Sequence, residues 1–178
     1  GPSQPAIPVW TMTNPAAITN MLLILATDTA LTEQIRYSRY DERLMRRFVE
    51  EVLRLQPPVH GLFRTTTAEV KVGNTRLPPH VQVCILFASA NDDDAKFGCP
   101  RTLDIHRGNV GQHLTFGAGI HRCIGSDLAR MELRIAAEVI LEHLDDIQLA
   151  IPLDEIAYLP TLATHTIQSL PLRFSKRA

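Results

Sequence analysis

The chain has 178 residues, enough for one domain with a substantial core or for a large piece of a bigger one. Apolar residues make up 45% and charged residues 21%, and the formal net charge of -1 gives no electrostatic case for nucleic acid or an anionic membrane. Three scattered cysteines (Cys84, Cys99 and Cys123) exclude a disulfide framework and fit a reducing, cytoplasmic setting, and the longest apolar run, Met21 to Ala26, is too short to span a bilayer.

Residues 1–14 read as a processed end and an extended lead-in, with Gly1-Pro2 like a protease scar and "GPSQPAIP" unlike a signal peptide. Residues 15–178 are the folded portion. From Pro15 to Ala30, Ile18, Met21, Leu22 and Leu25 fall at helical spacing, with Asn14 as cap and Pro15 as first helical residue. Asp41 opens a second helix to Leu55, whose stripe is Leu44, Met45, Phe48, Val52 and Leu55; Pro57-Pro58 ends it. The turn "VGNTR" joins "AEVKV" to "LPPHVQV" as a hairpin, and "VQVCILFASA" fits a buried strand or a short helix equally. Asn91 to Gly111 is a long polar loop, longer than compact domains tolerate without a functional reason. Ser126 to Leu144 is an amphipathic helix with Leu128, Met131, Ile135 and Val139 on one side. Short apolar runs broken by Pro152, Pro160 and Pro171 predict small strands near the end. The expected class is mainly α with small antiparallel β elements, an α+β arrangement.

The stretch "TFGAGIHRCIG", Thr115 to Gly125, carries the chemistry. Cys123 precedes a helix, whose free N–H groups and positive end favour a thiolate. Gly117, Gly119 and Gly125 clear side chains from around the sulfur, for positive φ or for the close approach of something flat. His121 and Arg122 add donors. An uncrowded thiolate serves as a nucleophile, a zinc ligand or a haem-iron ligand; the bland alternative is a buried apolar cysteine in a glycine turn. Zinc lacks CxxC or HxxxH spacing here, and a nucleophile needs His121 oriented as its base.

"FGAGIHRCIG" matches FGxGxHxCxG at every defined position and so resembles the haem-binding signature of cytochromes P450, of the bacterial soluble type. "LARMELRIAAEVI" resembles that family's helix after the cysteine, "EEVLR" holds its ExxR pair, "LFRTTT" its haem-propionate strand, and "SLPLRF" its last strand. The resemblance covers residues 15–174 and implies the C-terminal half of the P450 fold. It implies haem b (iron protoporphyrin IX) with Cys123 as axial ligand, Phe116 beside the loop, and Gly117, Gly119 and Gly125 making room. It also implies His121 and Arg64 on the propionates. Glu51 and Arg54 meet at i,i+3 on one helix face. In the family this pair is buried and anchors the cysteine loop with a further Arg, where this chain reads "GCPRTLD", with Thr102 at the expected place and Arg101 one earlier.

Substrate contacts in the family fall here around Trp10 to Ile18, at Leu62 and Phe63, and at the tip from Leu162 to His165, surfaces suited to an apolar small molecule. The implied activity is a monooxygenase that takes electrons from a ferredoxin or flavin reductase. Two departures stand out. The chain matches only the C-terminal half, so the expectation is that a second chain or self-association covers the apolar distal side, exposed at about 25 cal/mol per Å², or that the other half was cleaved away. The family's acid–threonine proton relay, a general-acid device, falls near Pro15 or Ala16, and no Asp or Glu occurs from Gly1 to Thr27. Thr11, Thr13 and Thr19 are the candidate hydroxyls. Two other readings stay open: a non-catalytic P450-like auxiliary or assembly module, and a peroxide-driven haem enzyme.

Overall fold

In the computed structural model, which describes residues 10–177, helix α1 spans Trp10–Thr27 and so starts five residues before the expected Pro15. Pro15 lies inside it. Proline there removes one donor, the bond to the carbonyl four residues back, and the hydroxyl of Thr19 turns back to the Pro15 carbonyl at 2.8 Å. Asn14 caps nothing; its amide donates across to Glu132. The apolar run ends at Asp28, which accepts the Leu31 N–H at 2.9 Å and caps a new helix, α2 (Thr29–Tyr37). The two helices meet at 109°.

Helix α3 (Glu42–Leu55) follows the sequence reading closely. Asp41 caps it by accepting from Arg43 and Leu44, and Met45, Phe48 and Val52 are buried. Strand β1 (Gly61–Thr65) pairs antiparallel with β4 (Gln82–Leu86), and the hairpin of β2 (Val70–Val72) and β3 (Thr75–Leu77) is nested between them. The stretch "VQVCILFASA" is both things the sequence allowed: β4 first, then α4 (Phe87–Asn91). Helix α5 (Ser126–His143) runs without a loop into β5 (Leu144–Leu149), which pairs with β6 (Leu172–Lys176).

The main core lies among α1, α2, α3 and α5, with Met21, Leu25, Ile35, Phe48, Val52, Leu133, Ala137 and Leu141 fully packed. The predicted stripe of α5 therefore faces outward. Leu128, Met131, Ile135 and Val139 are exposed, and the buried side is Leu133, Ala137 and Leu141. The helix is apolar on both sides, and periodicity groups residues by side without saying which side meets the core. The α+β class stands: helices with three two-stranded antiparallel sheets among the described residues.

Candidate functional site

The cysteine loop is folded back on itself by its own backbone. Gly117 N–H donates to Leu114 O at 2.8 Å, Cys123 N–H to Phe116 O at 2.9 Å, and Arg122 N–H to Gly119 O at 3.1 Å. Gly117 and Gly119 carry φ of 67° and 70°, a region that costs an L side chain about 1–2 kcal/mol. Gly125 differs: its φ is −86°, and a Cβ there would meet the Cys123 sulfur at an ordinary 3.9 Å. Gly125 thus keeps the flank of the sulfur open rather than satisfying a special backbone. Cys123 is exposed, so the alternative of a buried apolar cysteine does not hold. Its neighbours Ile120 and Ile124 are almost wholly exposed, at 97% and 103%.

Three braces hold this loop. Below it, Asn91 at the end of α4 accepts the Leu114 N–H at 2.7 Å and donates to the Thr115 hydroxyl at 2.9 Å, while that hydroxyl donates to Leu53 O at 2.7 Å. The ring of Phe87 comes within 3.9 Å of where a Gly117 Cβ would stand.

The second brace is the buried pair read from the sequence, with a partner the sequence did not reveal. Arg54 grips Glu51 with two nitrogens, at 2.6 and 3.0 Å. The third member is Arg107, whose Nε donates to Glu51 Oε1 at 3.0 Å. Arg101 points outward and pairs with Asp92, and Thr102 gives only its carbonyl, which accepts from both Arg54 and Arg107. One carboxylate faces two guanidiniums. The remaining N–H groups go to the carbonyls of Asn91, Gly98, Cys99 and Pro100. The backbone N–H of Asp104 donates to Glu51 Oε2 at 2.8 Å. The long polar loop is therefore pinned from inside, and Arg107 looked in sequence like any solvated charge in such a loop.

The third brace was also missed. Glu50, next to Glu51 on α3, has partners of its own and accepts from His113 Nε2 at 2.7 Å and Arg130 Nε at 2.5 Å. His113 Nδ1 accepts the Thr115 N–H at 3.2 Å, which places the ring proton on Nε2. Burial pushes the Glu50 carboxyl upward, but the hydrogen bonds from His113 and Arg130 and the charge of Arg130 win and hold it below its ordinary value. The guanidinium of Arg130 then lies 4.5 Å over the ring of Phe116. Phe116, whose carbonyl holds the Cys123 N–H, is thereby clamped from α3 and α5 together. A polar cleft of about 410 Å³ between these helices has Glu50 and Arg130 in its wall.

Other expected residues are not gathered with Cys123. Arg64 is exposed and donates to Phe63 O at 2.8 Å, and His121 is exposed. Among the described residues no hydrogen bond joins either to Cys123, and no three His, Cys, Asp or Glu side chains assemble as metal ligands. The nucleophile and zinc alternatives thus lack an oriented base and a ligand set. Leu62, Phe63 and Leu162 are exposed. Thr13 is half-buried, Thr19 spends its proton on Pro15 O, and the Thr11 side chain lies outside the described residues, as does that of Trp10.

The donor set suits a flat, largely apolar group carrying a soft metal. It offers the accessible Cys123 sulfur, flanking glycines, and exposed apolar side chains on the loop and on Leu62, Phe63, Ile85 and Leu86 of the β1–β4 sheet. The exposed Arg64 guanidinium and the exposed His121 ring, both hydrogen-bond donors, suit acidic substituents on such a group.

Comparison with known proteins agrees with this chemistry. The cytochrome P450 family model matches residues 18–147. Cytochrome P450-SU2 of Streptomyces griseolus is 34% identical over 163 residues, covering 91% of this chain and 39% of the relative. Pentalenic acid synthase of Streptomyces avermitilis is 36% identical, covering 85% and 38%. Among solved structures, CYP109Q5 from Chondromyces apiculatus superposes with a TM-score of 0.82 at 38% identity, covering 93% of this chain and 41% of that one. CYP150A6 of Mycobacterium marinum gives 0.88 at 28% identity. The chain spans about two fifths of the length of the relatives it matches. Among the described residues no single helix is long and apolar enough to cross a membrane.

Proposed function

Because the chain belongs to the cytochrome P450 family, we propose that it is the haem-binding portion of a haem-thiolate monooxygenase acting on an apolar small molecule. The observation that carries this reading is the exposed Cys123 on a loop braced from three directions. A free sulfur needs no such bracing unless its position matters to what it binds.

Cys123 would ligate the iron of haem b, with Gly117, Gly119 and Gly125 leaving room and Arg64 and His121 reaching the propionates. Bound there, a haem-thiolate supplies oxygen activation, aided by electron donation from the sulfur. The chain's own residues do the rest. The Glu51–Arg54–Arg107 cluster fixes the loop ahead of the cysteine, and Glu50, His113 and Arg130 fix Phe116. Leu62, Phe63 and Leu162 offer apolar contact to substrate. Electrons would come from a ferredoxin or flavin reductase, and a separate polypeptide segment would cover the apolar surface. Proton delivery is altered relative to the family: α1 offers no carboxylate among its described residues, and the Thr19 hydroxyl is already committed to backbone.

The test is the carbon monoxide difference spectrum of the reduced protein after haem loading. The red-shifted Soret band of a thiolate ligand is expected, and Cys123→Ser should abolish it. Haem binding that survives Cys123→Ser with an unchanged spectrum would reject the assignment.

A further inference from the structure

We infer that Glu50 and Arg130 are paired positioning residues that set, in opposite directions, how readily the site at Cys123 accepts an electron. The inference rests on the haem-thiolate reading above and deepens it by naming the charges that tune the site.

The pair is held in one orientation. Arg130 donates from Nε to Glu50 Oε1 at 2.5 Å and from Nη2 to Oε2 at 3.3 Å, a fork that fixes the plane of the guanidinium. The buried His113 holds the same carboxylate from another element, at 2.7 Å. The side chains of Glu50 and Arg130 are 17% and 24% exposed, so water screens their charges less than it screens a surface pair.

The ring of Phe116 connects the pair to the cysteine. The guanidinium carbon lies 4.5 Å over that ring, and the His113 ring is 6.0 Å from it. The Phe116 carbonyl accepts the Cys123 N–H at 2.9 Å. Cation, ring and the amide of the sulfur-bearing residue thus follow one another in space.

Bracing alone gives no reason for charge here. An apolar side chain at position 130 would pack on the ring without the desolvation that a half-buried ion pair incurs. What an apolar side chain lacks is a field. One electron from the ferredoxin or flavin reductase makes the site one unit more negative. The guanidinium favours that change and the carboxylate opposes it. His113 adds no net charge, because its Nδ1 accepts the Thr115 N–H. Other charges in the wall of the cleft have partners elsewhere: Arg46 pairs with Glu42, and Arg134 with Glu138. Asp127 stands 3.5 Å from Arg130 but is 98% exposed, and salt and water screen it.

The experiment is a spectroelectrochemical titration of the haem-loaded chain and its variants. Arg130→Gln is expected to lower the reduced-to-oxidised ratio at a fixed potential by about threefold or more, and Glu50→Gln to raise it by a similar factor. Arg130→Lys, which keeps the charge and loses the fork, should recover more than half of the Arg130→Gln shift. Arg134→Gln, in the same cleft but away from the ring, should shift the ratio less than Arg130→Gln. A purely structural brace behaves differently, since both Gln variants break the same contact and move the ratio the same way. Shifts of equal sign, or none, therefore overturn the inference. Should Arg130→Gln fail to fold, Glu50→Gln decides by its sign: a rise supports the inference, and a fall or no change overturns it. A parent without the thiolate Soret band rejects the haem-thiolate reading and this inference with it. A parent with the band and shifts of equal sign rejects the inference alone.

Discussion

Arg107 resolves a difficulty that Arg54 alone would leave. A buried carboxylate needs all its lone pairs met, and Glu51 receives Arg54, Arg107 and the Asp104 N–H. The cluster carries one extra positive charge, which is spread over the carbonyls of Asn91, Gly98, Cys99, Pro100 and Thr102. Glu51→Gln would strand two buried guanidiniums and should cost about 3–5 kcal/mol of folding stability. Arg107→Ala should cost more than Arg101→Ala, which is expected within about 0.5 kcal/mol of the parent because Arg101 is 89% exposed in its side chain. Urea unfolding of the three variants measures this; equal losses at Arg101 and Arg107 would show that the wrong arginine has been assigned. The sequence exposed Glu51 and Arg54 because their spacing is local. Arg107 lies 56 residues from Glu51, and only the path of the loop brings it back.

Among elements, the same logic separates what was readable from what was not. The stripe of α3 was legible because one side is apolar and the other charged. In α5 both sides are apolar, so Leu128, Met131, Ile135 and Val139 gave a clear period and an undetermined direction. The start of α1 was hidden by Pro15, which reads as a first helical residue and instead sits inside. The ties between elements predict a two-stage acid response. His60 and His165 have lowered folded pKa values, so the unfolded chain takes up protons more readily. Stability is full above the unfolded value of about 6.5 and falls as pH drops below it. Glu50 is also lowered, but as an acid. Its contribution is present above the unfolded carboxyl value of about 4.3 and is lost as pH falls through its folded value. Thermal midpoints measured from pH 8 to pH 3 should show a first decline beginning near 6.5 and a second below about 4.3. Replacing both His60 and His165 by Phe should remove the first only.

At the scale of the whole molecule, the cysteine loop, the ExxR helix and the central hairpin were legible because each is short-range: a motif, an i,i+3 pair, a turn. The braces were not, since Glu50, His113 and Arg130 become neighbours only when α3, the loop and α5 pack. The same packing leaves apolar side chains of β1, β4, α5 and the cysteine loop facing outward in a chain that spans about two fifths of its relatives. The long stretch between α4 and the cysteine loop has no helix or strand from Asp92 to Asn109, yet its carbonyls are tied to two buried guanidiniums. By appearance it is the obvious place for a protease to enter. Trypsin should instead treat its two arginines as strangers: the peptide bond after Arg101 should be cut readily in the native protein, and the bond after Arg107, six residues further, only once the fold has opened.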